Sequence, residues 1–299
     1  MLLATQSLST GDVTFRSQIA FERAYRVHAV MRTGTVWDTR FAPNDYMGGG
    51  RFVVSVLLDG WAHWHSGGLG TRRGPSAYLL SIQPAGSDRR MSSTRSLGGN
   101  PYRAVDLIVT GSPSEPPLDD IVESVELPES VYDAARAIVA SEPEDGLEAR
   151  VKVFLGCVGT ALPRVRGLTS IPVEEESPFI RRIWDAFAAC DLSVSPFPSM
   201  QDLMDHSGLS LSHFSRQLKA VLDEFRVDWE GWRSLTNDAR IRWVVVLLSN
   251  PGLSIADVAR AAGYTSTDAL DATLRRMNLP PPTEVRRQII AAVPDLVDL

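Results

Sequence analysis

The last third of the chain carries the same order of signals twice. Met200-Gln-Asp-Leu-Met-Asp-His-Ser-Gly208 leads through Leu209 and Ser210 into Leu211-Ser-His-Phe-Ser-Arg-Gln-Leu-Lys219. Leu253-Ser-Ile-Ala-Asp-Val-Ala-Arg-Ala-Ala-Gly263 leads through Tyr264-Thr-Ser266 into Thr267-Asp-Ala-Leu-Asp-Ala-Thr-Leu-Arg-Arg276. Each stretch has a short helical pattern, a glycine that permits positive φ, a serine or threonine start signal and a second helical pattern. Two such units constrain the fold more than any other feature. A short helix bracing a second helix is a helix-turn-helix, the arrangement that presents a helix N-terminus to a DNA major groove.

Ser199, Ser210 and Ser254 are expected as N-caps, with turns at Gly208 and Gly263. In the first unit Leu211, Phe214 and Leu218 are expected in the core. The opposite face then carries Ser212, His213, Ser215, Arg216 and Lys219, hydroxyls and cations suited to base edges and phosphates. In the second unit Leu270, Leu274 and Met277 form the core side, and Thr267, Asp268, Asp271, Ala272, Arg275 and Arg276 face outward. Asp228 is expected to cap a linker helix from Trp229 to Leu248. Its roughly twenty residues would span about 30 Å, close to the roughly 34 Å repeat of the major groove. Asn250-Pro-Gly252 ends it.

Charge sets a condition on this reading. The chain of 299 residues has a net charge of −6. From Pro178 onward there are 13 Arg/Lys against 15 Asp/Glu. DNA affinity rests largely on cations meeting phosphates, so binding must come from where the charges are placed. Asp268 and Asp271 at the start of the second reading helix oppose phosphates, which makes the first unit the stronger reading head.

The N-terminal part has a different grammar. Residues about 12 to 110 alternate as short strands between Gly/Pro turns: Phe52–Leu58, Ala77–Ile82 and Tyr102–Val109. These predict a small barrel or sandwich. After Ser112-Pro-Ser-Glu-Pro-Pro117 the pattern turns helical. Val131, Ala135, Ile138 and Val139 share one face, as do Val151, Phe154, Leu155 and Val158. Residues 166–178 read as a polar linker. Ile180, Ile183, Trp184 and Phe187 then form the stripe that opens the last domain.

The C-terminal arrangement resembles the AraC family of bacterial transcription regulators. The residues that carry the likeness are Gly208 to Lys219, Leu247-Leu248, Leu253 to Tyr264 and Leu279-Pro-Pro-Pro-Thr-Glu-Val-Arg-Arg287, over roughly 100 residues. The resemblance implies a base-reading role for Arg216 and an N-terminal cupin-like β-barrel that binds an effector or dimerises. It departs from the family at Asn278, where a glycine is usual, at Leu270 and Leu274, which replace aromatics, and at Ala272, where an arginine often meets DNA.

The expected fold is therefore α+β in two domains. Residues 1–170 form a cupin-like effector-binding or dimerisation domain with helices at about 118–166. Residues 178–290 form an all-α domain of two helix-turn-helix units on a linker helix. The expected DNA-binding residues are Ser212, His213, Ser215, Arg216, Lys219, Thr267, Arg275 and Arg276. Trp61, His63, His65 and Tyr78 are the expected effector pocket. Metal-dependent cupins pair His-x-His with a glutamate a few residues on, and Ser66 to Gly70 offers none. No metal, no cofactor and no enzyme activity are expected.

The expected partners are double-stranded DNA, a small-molecule effector and a second copy of the chain, in the cytoplasm and without a membrane segment. Cys157 and Cys190 read as apolar packing. An alternative function is a regulatory interaction protein with weak DNA binding, its acidic second unit facing a protein partner.

Overall fold

In the computed structural model the chain opens as β-structure and closes as helices. The structure describes residues 2–10, 12–38, 41, 50–64, 70–81, 92–95, 101–110, 122–140, 146–163, 178, 180–183, 199–225, 227 and 230–291. The strands are β1 (Leu2–Thr10), β2 (Val13–Phe21), β3 (Tyr25–Thr33), β4 (Val36–Asp38), β5 (Gly50–Asp59), β6 (Trp61–Trp64), β7 (Gly70–Arg73), β8 (Ser76–Ser81), β9 (Ser92–Arg95), β10 (Tyr102–Thr110) and β11 (Val122–Val125). They form a seven-stranded sheet in the order β1-β2-β3-β10-β5-β8-β11 and a four-stranded sheet in the order β4-β9-β6-β7. All the pairings are antiparallel.

Strand alternation sorts the large sheet into two faces. Val27 and Ala29 of β3, Phe52, Val54, Val56 and Leu58 of β5, Ala77 and Leu79 of β8, and Val105, Leu107 and Val109 of β10 point one way. There they share a core with α1 (Glu129–Ala140) and α2 (Leu147–Ala161). Val131, Ala135, Ile138 and Val139, and Val151, Phe154, Leu155 and Val158, are all buried in that core, as the helical periodicity requires. Cys157 is partly buried against it. Cys190 and the expected linker at 166–177 lie outside the described residues.

The other face carries Phe15, Val30, Leu57, Tyr78, Tyr102 and Ala104, and meets Val36 and Ala62 of the small sheet. The same core runs on into the C-terminal helices, through Trp243, Val246, Leu270 and Leu274.

Those helices are α3 (Met200–Ser207), α4 (Leu211–Glu224), α5 (Trp232–Leu248), α6 (Ile255–Ala261), α7 (Thr267–Arg276) and α8 (Pro282–Ala291). Ile180 and Ile183 are buried with α3 and α4, while Trp184 and Phe187 lie outside the described residues.

The linker helix differs from its sequence reading. It begins at Trp232 behind Gly231, not at Trp229, and Asp228 lies outside the described residues. Its 17 residues span about 25 Å, short of one major-groove repeat. Twelve of them are buried, including Arg242, so α5 is a central strut packed on all sides and not a solvent-bridging spacer.

Candidate nucleic-acid interface

The first unit is built around a set of caps. Ser199 accepts a bond from the Asp202 backbone N–H, while the Asp202 carboxylate accepts from the Ser199 N–H at 2.6 Å, a full capping box at the start of α3. The Ser199 hydroxyl also donates to the Asp202 carboxylate at 2.7 Å, and this bond, with that from the Ser199 N–H, holds the Asp202 carboxyl below the usual carboxylate range. Gly208 closes the helix at φ 67, its N–H donating to the Met204 carbonyl at 2.8 Å. Ser210 then takes the extended N-cap backbone of α4, but its hydroxyl makes no cap bond.

In α4, Phe214, Leu218, Val221 and Leu222 are buried against Ile183, Leu203 and Leu235. Leu211 is not in that core. It is 53% exposed. Leu209, the residue before the cap, is packed against the same cluster as Phe214. Leu209 and Phe214 stand at the N′ and N4 positions, the spacing of a hydrophobic staple, and Leu209 is the residue at this helix start that packs on the cluster.

Ser212, His213, Ser215, Arg216 and Lys219 are all exposed on α4, so the face expected to read DNA is open to solvent. Arg216 has no hydrogen-bond or ion-pair partner among the described residues. Lys219 reaches one turn onward along α4 to Asp223 at 2.7 Å. Exposed i,i+4 pairs of this kind are worth only a few tenths of a kcal/mol, and a phosphate can compete for the ammonium.

The second unit repeats the scaffold with different surface chemistry. Ser254 caps α6 by accepting from the Asp257 N–H, and the Ser254 hydroxyl and Arg260 hold the Asp257 carboxyl below its ordinary range. Gly263 makes the turn at φ 79, and Ser266 caps α7 by accepting from the Ala269 N–H. Leu270 and Leu274 are fully buried and Met277 packs partly against them.

Thr267, Asp268, Ala272, Arg275 and Arg276 are exposed. Arg275 is ion-paired with Asp271, and Arg276 donates to the Thr273 hydroxyl at 2.9 Å. Both cations of this face are thus engaged within their own helix. Asn278, standing where a glycine is usual, takes φ 56. Asparagine is the residue that best tolerates this left-handed conformation after glycine. Arg286 of α8 closes the unit by donating to the carbonyls of Leu248 and Leu253 at 3.1 and 2.7 Å.

The β-structure grips the ends of α4 and of the linker helix α5. Arg26 of β3, fully buried, donates to the carbonyl of Phe225, the C-cap of α4, at 2.8 Å. A cation at a helix C-terminus meets the negative end of the helix dipole. Arg23, in the β2–β3 turn, stacks 5.3 Å from the centre of the Phe225 ring and bonds Glu224 through Nε at 2.9 Å. At the far side the Val36 N–H donates to the hydroxyl of Ser249, the C-cap of α5, at 2.9 Å. Phe15 packs on Trp243 with ring centres 5.9 Å apart.

Three of the four residues expected to line an effector pocket, Trp61, His63 and Tyr78, are among the described residues. Ala62 joins Tyr78 in the core between the sheets. Trp61 and His63 alternate onto the other face of β6, where Trp61 lies by the Arg73 guanidinium and His63 Nδ1 is 2.7 Å from the Thr71 hydroxyl. The Tyr78 hydroxyl is bonded to Ser76, and its burial pushes its pKa up. His65 lies outside the described residues. Among the described residues no group of His, Cys, Asp and Glu could hold a metal ion.

Sequence reasoning missed one polar chain in the β-structure. Ser17 Oγ is 2.8 Å from His28 Nε2, and His28 Nδ1 is 3.7 Å from the Asp106 carboxylate. Ile19, His28, Asp106, Ser55 and Tyr78 lie in one cross-strand row. The order resembles a serine–histidine–aspartate relay. However, the second step is longer than a hydrogen bond, and Ser17 and His28 are 4% and 6% exposed. The arrangement pairs polar groups inside the sheet. No spacing in the sequence signals it, because the three residues meet only through strand register.

No protein-family model matches the sequence, and no curated protein does. Solved structures with a similar course of chain include ToxT from Vibrio cholerae, at 14% identity and a TM-score of 0.33, covering 88% of this chain and 98% of that one. Another is the AraC-like transcriptional activator CuxR, at 9% identity and a TM-score of 0.30, covering 74% and 80%. A mutant of the oxalate decarboxylase OxdC of Bacillus subtilis follows, at 12% identity and 0.24, covering 58% of this chain and 38% of that one.

Proposed function

We propose that the chain is a sequence-specific DNA-binding transcription regulator of the AraC type, with α4 as its principal reading helix. The observation that carries this is the exposed α4 face of Ser212, His213, Ser215, Arg216 and Lys219 on a helix braced by α3 across a glycine turn. Hydroxyls, an imidazole and a guanidinium with no partner among the described residues match, on one face, base edges and phosphates. In α7, Thr267, Arg275 and Arg276 serve as positioning contacts. Asp271 already holds Arg275, so α7 contributes less to base reading.

Regulation enters through the β-structure, by a small-molecule effector or by pairing with a second copy. What supports this is its direct hold on the C-caps of α4 and α5 through Arg26 and Val36. The exposed Asp268 beside the Asp271–Arg275 pair favours a second reading, in which α7 faces a protein partner. No helix among the described residues is long and apolar enough to cross a membrane.

The test is a genomic binding-site selection with the purified chain, followed by titration of the enriched duplex across salt. An enriched motif is expected, with log affinity falling linearly as log salt rises. If no sequence is enriched and binding ignores salt, the DNA reading fails and the protein-partner reading gains.

A further inference from the structure

Three large apolar side chains are exposed among the described residues: Val153, Leu211 and Ile290. Val153 belongs to α2 and Ile290 to α8. Leu211 alone lies on a helix with a DNA-reading face. It is the first residue of α4, and 53% of it is open to solvent. Packing does not require a leucine there, because the buried cluster of α4 forms from Phe214, Leu218, Val221 and Leu222, with Leu209 packed against it and Leu211 left out.

Direction and spacing say what it could meet. Helical side chains lean toward the N-terminus, so Leu211 projects past the end of α4 that would enter a groove. Residues 211, 215 and 219 follow at i, i+4 and i+8, which puts Leu211 at the head of a row that continues through Ser215 to Lys219. Ser212 and Arg216 form the adjacent row. Leu211 is therefore the apolar corner of an otherwise polar reading surface. In the major groove the apolar feature of a base edge is the C5-methyl of thymine.

We infer that Leu211 is a specificity-determining residue that packs on a thymine methyl in the site bound by α4. This rests on the reading of α4 as the groove helix. The second unit carries the counterpart: Thr267, first residue of α7, also exposed, presents a methyl at the matching position. Sequence periodicity hid the role of Leu211 by assigning it to the core.

The test uses the selected duplex with each thymine replaced in turn by deoxyuridine, which keeps the pairing edge and removes only the methyl. Affinities are measured by anisotropy for the full chain and for Leu211→Ala. For the unsubstituted protein, one thymine position per site is expected to lose about fourfold on replacement, the worth of one buried methyl. Leu211→Ala is expected to bind the thymine duplex more weakly and to be indifferent to deoxyuridine at that position. Its melting temperature is expected to match the parent's, because the side chain it removes is exposed.

If no thymine is sensitive, or if Leu211→Ala keeps the full sensitivity, the role of Leu211 is overturned while DNA binding stands. If the parent enriches no duplex, the groove reading of α4 falls and the role of Leu211 falls with it.

Discussion

Arg216→Ala is expected to weaken binding to the selected duplex by about 1–3 kcal/mol, roughly ten- to a hundredfold, and to relax the preference at one base pair. The physical ground is its freedom. Arg216 is exposed and has no partner among the described residues, so its guanidinium can meet a base without first breaking a bond. For the same reason its removal is expected to leave stability unchanged, which separates loss of reading from loss of fold. Arg216→Lys is expected to recover only part of the affinity, because an ammonium lacks the planar fork that reads guanine. Arg275→Ala is expected to cost less than Arg216→Ala, since Asp271 already holds that cation. An affinity within twofold of the parent's for Arg216→Ala, at matched salt, would remove the assignment.

Phe214→Ala is expected to cost about 3–5 kcal/mol of stability, the usual toll for deleting a buried aromatic ring. Phe214 is fully buried in a cluster that includes Ile183, Leu203 and Leu235, and Leu209 packs against the same cluster from the turn. Truncation opens a cavity in the cluster that joins α3 and α4 and on which Leu209 packs. Denaturant titration is expected to show a lower midpoint with an unchanged slope, and specific binding should fall even at temperatures where the chain stays folded. A cost below about 1 kcal/mol would mean that the joint can collapse around the gap, and that the position of α4 is set elsewhere.

The sequence was most legible where local chemistry decides. Ser199, Gly208, Ser254 and Gly263 signal their caps and turns within a few residues, and each stands in its expected role. The buried stripes of α1 and α2 follow from period alone. Legibility failed at the head of α4, where Leu209 and not Leu211 packs on the buried cluster. It failed too at the start of α5, where the cap signal of Asp228 stands four positions ahead of the first helical residue, Trp232. It failed most where partners are far apart in the chain. Arg23 and Glu224 are 201 residues apart, and Arg26 and Phe225 are 199 apart. A fully buried arginine on β3 is not announced by alternation, because its reason lies in a helix end supplied by the other half of the molecule.

That reason has a thermodynamic side. If the Phe225 carbonyl and the Arg26 guanidinium were parted, each would leave a buried bond unmade, and the seats of Phe15 and Phe21 against the helices would open to water. Neither half can melt without uncovering the other. Calorimetry on the intact chain is therefore expected to record one cooperative transition, with the calorimetric and van't Hoff enthalpies in agreement. Two resolved peaks would show that the halves hold their structure independently, and that what happens in the sheets need not be felt at α4.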